Sequence, residues 1–167
     1  MAQAHPLDRL IGAQMPTFRT AADVAAFETT PYAERIGAQS TYEALQLGAA
    51  IDPNAAAIRF LSKGDPDETP VTVSFAQFIA RVTQSANFFH ALGVGPNDVV
   101  SFLMPLLPQT FFALFGAQAA GIANPVNPLL SATQIAEILR AANSAKKVCG
   151  NSGISRLTTS FGPTPSP

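Results

Sequence analysis

The sequence predicts an α/β fold in which an incomplete, mostly parallel sheet is flanked by helices. Helical and strand patterns alternate from residue 75 onward, and this order is typical of helices covering a parallel sheet. Residues 99–104 form a continuous apolar strand without alternation, as in strands buried on both faces. The 167 residues are 47% apolar and 13% charged, so the chain can bury a sizeable core and is not globally disordered.

The first half of the chain predicts two helices and a hairpin. We expect the helices over residues 21–28 and 41–51, with Asp52-Pro53 ending the second. Residues 57–61 and 71–73 predict two strands, and the polar loop that joins them contains glycine and proline.

The strongest helical pattern covers residues 75–92. Its apolar residues recur at helical spacing, and Ser74 with Gln77 three residues later forms a capping-box pattern. Gly93 is placed to end the helix as its C′ residue. A tight turn over residues 93–98 then leads into the buried strand.

Two more helices and two short strands complete the α/β pattern. Pro108 begins a helix that runs to about Ala120, and residues 122–126 resemble a strand. Ser131 with Gln134 repeats the capping-box pattern for a helix that ends near Ala142. We expect a last strand to stop after Val148.

These patterns predict three regions. Residues 1–40 are an N-terminal arm, residues 41–148 are the folded body, and residues 149–167 are a tail. Thirteen of the eighteen residues from 150 to 167 are Gly, Ser, Thr or Pro, so we expect the tail to be disordered.

The distribution of charge excludes several classes of partner. The net charge of −1 provides no global attraction to nucleic acid or anionic lipid. No Asp, Glu, Lys or Arg lies between Asp98 and Glu137, but prolines and polar residues interrupt this stretch, so we predict no transmembrane segment. The N-terminus has no apolar core of a secretory signal, and we expect a cytoplasmic protein.

No metal site is predicted. Asp65, Asp67 and Glu68 crowd one loop, but their spacing is not that of a calcium loop and they are interpreted as a solvated hairpin tip. His5 and His90 with a single cysteine form no ligand cluster.

No catalytic or cofactor-binding residue is predicted either. Gly93-Val94-Gly95 follows a helix and precedes a strand, the reverse of a dinucleotide fingerprint. Ser152 lacks the spacing of a nucleophile elbow, and Cys149 is interpreted as an inert thiol despite the neighbouring lysines.

Two stretches of this sequence nevertheless resemble the adenylate-forming enzymes, and within them the AMP-forming acyl-CoA synthetases. Residues 73–78 (VSFAQF) and 86–100 (ANFFHALGVGPNDVV) resemble the family's first core motif, its helix and the following turn and strand. Residues 118–128 (QAAGIANPVNP) resemble the second motif, with Gln118 in place of the usual Lys. The similarity covers residues 41–148, which would then be a partial AMP-binding N-terminal subdomain.

The resemblance implies a ligase of fatty acid metabolism that uses ATP, Mg²⁺ and coenzyme A. A carboxylate is first adenylated and then transferred to the thiol of coenzyme A. The family's phosphate loop, adenine-binding segment and C-terminal lysine domain have no counterpart here, since Phe161 occupies the glycine position of the only faint match to the loop. The resemblance therefore assigns no catalytic, cofactor or metal residue to this chain.

We therefore expect a truncated synthetase fragment, inactive alone, with an unrelated, frameshifted tail after about Lys147. A noncatalytic binding or interaction module is the alternative, and a membrane-associated protein using the uncharged stretch is a third interpretation. We also expect exposed apolar surface and an unpaired strand edge, which would favour self-association.

Overall fold

The structure is a computed structural model that describes residues 17–31, 34, 36–143 and 148–149. The elements divide into two compact units at residues 53 and 54. The first unit contains α1 (Ala21–Glu28) and α2 (Thr41–Ile51). The second contains the remaining elements: β1 (Ala56–Phe60), β2 (Val71–Ser74), α3 (Phe75–Ala91), β3 (Val99–Phe102), α4 (Pro108–Ala120), β4 (Ile122–Pro125), α5 (Ala132–Ala141) and β5 (Val148–Cys149).

Side-chain caps define the starts of both helices of the first unit. Thr20 and Asp23 form a reciprocal capping box at α1, which the sequence analysis did not identify. The Ser40 hydroxyl accepts a hydrogen bond from the Glu43 amide at the start of α2. The helix α2 lies within the first compact unit, Met1–Pro53.

The strands β1 and β2 form the expected antiparallel hairpin, with a register shift between Ala56 and Ile58. Glu68 organises the loop that joins them. Its carboxylate accepts hydrogen bonds from the Ser62 amide and hydroxyl at 2.8 and 2.5 Å and from the Lys63 amide at 2.8 Å.

Two predicted capping boxes are confirmed. At α3 the Ser74 hydroxyl accepts from the Gln77 amide at 3.3 Å, and the Gln77 side chain accepts from the Ser74 amide at 3.0 Å. Ser131 and Gln134 repeat this pair of bonds at α5. Gly93 follows α3 with a φ of +78°, a conformation that favours glycine, as its predicted role requires.

The strands β3, β4 and β5 form a parallel sheet in the order β4-β3-β5. The helix α4 connects β3 to β4, and α5 connects β4 to β5 on the other side of β3. Successive strands are therefore added first on one side of β3 and then on the other, as in doubly wound α/β folds.

The core lies between this sheet and the helices α3 and α4. Phe89 of α3 contacts Phe102 of β3 edge to face, with ring centroids 6.0 Å apart. The helices cross where Gly116 faces Ser85, and a Cβ on Gly116 would collide with the Cβ of Ser85 and lie 2.9 Å from the Ala86 amide nitrogen. Glycine therefore permits the close approach of the two helices.

The element types predicted from the sequence are correct, and the differences lie at their ends. The buried strand was expected to reach Met104, but β3 ends at Phe102, shortly before Pro105. One further backbone bond, from the Val126 amide to the Phe102 carbonyl, extends the pairing with the segment after β4. Val100, Ser101 and Phe102 are all buried, which confirms a strand covered on both faces.

Candidate functional site

The two sequence motifs meet at Gly121. A Cβ at this position would lie 2.6 Å from the carbonyl oxygen of Gly95 and 2.7 Å from that of Asp98, distances that real Cβ atoms essentially never show. Only a residue without a side chain can let the start of β4 approach the turn before β3 this closely. From the sequence, Gly121 was placed within the second motif, but its contact with the turn before β3 was not expected.

Asp98 connects the same two motifs through hydrogen bonds. Its carboxylate accepts from the Gly95 amide at 2.8 Å, which closes the turn. Its backbone carbonyl accepts from the Ile122 amide at 2.9 Å, which aligns β4 beside β3. Asp98 therefore has a structural role at the amino ends of the strands.

A partly buried polar pair joins the middle of the two strands. The Asn124 side-chain amide donates a 2.9 Å hydrogen bond to the Ser101 hydroxyl, and the two residues are register partners in the parallel ladder. This pair was not predicted from the sequence. The feature that could have indicated it is a serine within an otherwise apolar strand, because a buried serine needs a polar partner.

The carboxyl ends of the strands are the candidate functional edge. Ligands of open α/β sheets bind outside these ends, where successive connections leave in opposite directions. Here that position lies between β3 and β5, at the pair Phe102 and Cys149. The segments that leave β3 and β4 at this edge are residues 103–107 and 126–131.

Side-chain hydrogen bonds of Thr110 and Asn127 shape the turns of these two segments. The Thr110 hydroxyl donates to the Pro105 carbonyl at 2.6 Å and accepts from the Leu107 amide at 3.3 Å. The Asn127 side-chain oxygen accepts from the Leu129 amide at 3.0 Å. Asn127 of the second motif thus holds the turn that follows β4.

The same segments present two leucines to solvent and no charge. Leu106 is 75% exposed and Leu129 is 91% exposed. No acidic or basic residue occurs between Asp98 and Glu137, so neither segment carries a general acid, a general base or a cation. The two segments can bind an apolar surface, but their side chains cannot move a proton or neutralise a phosphate.

Among the described residues, the candidates weighed from the sequence lie in the loop between β1 and β2 and near the end of α3. Glu68 binds the amides of its own loop, and the Asp65 carboxylate accepts from the Asp67 amide at 3.0 Å, as expected of a hairpin tip. His90 is exposed near the end of α3, where its backbone carbonyl accepts from the Gly93 amide. His5 and Ser152 lie outside the described residues, and for Cys149 the structure describes only the backbone.

The hydrogen bonds to Glu68 also change its acidity. The Ser62 hydroxyl, the Lys63 amide and further backbone donors stabilise the charged carboxylate and hold the pKa of Glu68 below its ordinary value of 4.5. The carboxylate is thereby kept charged as a loop anchor.

In the described ranges, no group of three or more His, Cys, Asp or Glu side chains could hold a metal ion. The segments at the carboxyl edge also lack the Lys or Arg that would pair with phosphate. No helix within the described part of the chain is long and apolar enough to cross a membrane.

The sequence is similar to a known ligase over most of its length. It is 32% identical over 135 residues to the marinolic acid–CoA ligase of Pseudoalteromonas sp. (strain SANK 73390), covering 81% of this chain and 21% of the ligase. The chain thus spans about a fifth of the length of that relative.

Solved structures show the same fold. A Mycobacterium tuberculosis fatty acyl CoA synthetase matches 68% of this chain and 26% of its own, with a TM-score of 0.56 and 22% identity. The fatty acid AMP ligase from Legionella pneumophila matches 72% of this chain and 21% of its own, with a TM-score of 0.58 and 23% identity. The α/β arrangement described above is therefore that of the corresponding part of these enzymes.

The family assignment follows from a match that includes both motifs. The model of the family "AMP-binding enzyme" matches residues 45–158, more than half of the chain. The match extends to residue 158, whereas the resemblance identified from the sequence ended at Val148. With the two motifs in contact at Gly121 and the family match spanning them, the chain belongs to the AMP-binding enzyme family.

Proposed function

We propose that this chain forms the N-terminal part of the large domain of an acyl-CoA synthetase and that it does not adenylate carboxylates alone. The name of the similar marinolic acid–CoA ligase supports the reaction class, an acid joined to coenzyme A. ATP, Mg²⁺ and coenzyme A are the proposed cofactors of the complete enzyme. The cytoplasmic location expected from the sequence remains part of this proposal.

The observation that carries the proposal is the contrast between the two ends of the parallel sheet. At the amino ends, Gly121 and Asp98 join the two motifs closely. At the carboxyl ends, the segments after β3 and β4 supply no charged side chain to ATP. In acyl adenylation a carboxylate oxygen attacks the α-phosphorus of ATP and pyrophosphate leaves, so negative charge develops on the phosphoryl oxygens and the leaving group. Enzymes stabilise such charge with positioned cations and donors. This chain thus supplies scaffold, and further sequence must supply the chemistry.

Exchange of labelled pyrophosphate into ATP tests this proposal, because it reports reversible adenylation. The purified 167-residue chain is incubated with short-chain, long-chain and aromatic carboxylates, with the complete marinolic acid–CoA ligase as the positive control. We expect no carboxylate-dependent exchange above the protein-free blank. Exchange by the chain alone would refute the proposed inactivity.

The exposed leucines at the carboxyl edge favour a second candidate, the noncatalytic binding module. Leu106 and Leu129 offer apolar contact without chemistry. A complex that forms with a partner outside the AMP-binding family, and that the aspartate variants of both leucines abolish, would favour this module over the synthetase fragment.

A further inference from the structure

We draw no further inference here: the strongest candidate, the apolar face of α5 formed by Ile135, Ile138 and Leu139, is only half-buried, and nothing in the described part of the structure shows what covers it.

Discussion

Gly121 lies so close to Gly95 that a single added methyl group would come within 2.6 Å of the Gly95 carbonyl oxygen. The contact joins the turn before β3 to the start of β4, and it therefore joins the two stretches by which the family resemblance was first identified. Two motifs whose contacting glycines are 26 positions apart in sequence thus form one packed junction.

Gly121→Ala is expected to lower the free energy of unfolding by about 2 kcal/mol, because the new Cβ meets two backbone oxygens that cannot move independently of the turn. Urea denaturation followed by circular dichroism measures the change. Gly48→Ala is the matched control, since nothing lies within 4 Å of its added Cβ inside α2, and it should stabilise the chain by about 0.5 kcal/mol. Equal effects of the two substitutions would contradict the packed junction.

Gly116→Ala should also destabilise the chain, by about 1–3 kcal/mol, because its methyl group would collide with Ser85 at the crossing of α3 and α4. Adding Ser85→Gly should restore part of the loss, since it removes the closest atom but leaves the backbone contacts near 2.9 Å. A double-mutant cycle measures this coupling. Strict additivity of the two changes would show that the helices do not cross here.

Two buried serines are expected to respond oppositely to alanine. Ser85 and Ser101 are both 0% exposed, but within the described part of the chain the Ser85 hydroxyl lacks a hydrogen-bond partner, whereas Ser101 accepts from Asn124. Ser85→Ala should leave stability unchanged or raise it, because it removes a desolvated polar group. Ser101→Ala should cost about 1 kcal/mol or more, because it leaves the Asn124 amide without that acceptor.

Chemical denaturation of both variants gives this comparison directly. A large loss of stability in Ser85→Ala, matching that of Ser101→Ala, would show that the Ser85 hydroxyl has a partner and would contradict the packing described.

The hydrogen bonds to Glu68 predict that the hairpin loop loses stability in acid. Hydrogen bonds from the Ser62 hydroxyl and the Lys63 amide lower the pKa of Glu68 below its ordinary value of 4.5 in the folded chain. The contribution of the carboxylate to stability is therefore complete above pH 4.5 and is lost as the pH falls through the lowered pKa.

Titration of the Glu68 carboxyl carbon by NMR, together with amide exchange at Lys63, tests this loop. The protection of the Lys63 amide, measured relative to its intrinsic exchange rate at each pH, should fall as Glu68 is protonated, and Glu68→Gln should remove that pH dependence. Asp67→Asn is the control, because in the structure the Asp67 amide, rather than its carboxylate, makes the hydrogen bond within the loop. A titration midpoint of Glu68 at or above 4.5 would contradict the prediction.

Local signals in the sequence were sufficient for most of the fold. Ser74 with Gln77 and Ser131 with Gln134 formed the expected caps, because a capping box depends on residues only three positions apart. The hairpin of β1 and β2 and the parallel sheet had the expected character for the same reason, since each strand carries its own apolar pattern.

Contacts between residues distant in sequence were harder to predict. The bond from Asn124 to Ser101 and the approach of Gly121 to Gly95 depend on strand register, which no short pattern specifies. The end of β3 was misjudged because Leu103 and Met104 continue the apolar pattern although their backbone leaves the sheet. The capping box of Thr20 was missed because its partner is Asp23 rather than Glu or Gln.

The candidate site was predictable only in its composition. The uncharged stretch between Asp98 and Glu137 was evident from the sequence, and at first it raised the question of a membrane span. The structure instead distributes it over β3, α4 and β4 and places Leu106 and Leu129 on the segments beyond the strand ends. Which residues remain exposed depends on the assembled sheet, so the leucines could not be distinguished from core residues beforehand.

Binding of Mg·ATP to the isolated chain tests the central claim, a family scaffold without the groups for adenylation, most directly. Isothermal titration calorimetry of the 167-residue chain should detect no saturable binding up to millimolar nucleotide, because the segments at the carboxyl edge contain no cation and no acidic metal ligand. Saturable micromolar binding with one nucleotide per chain would contradict the account.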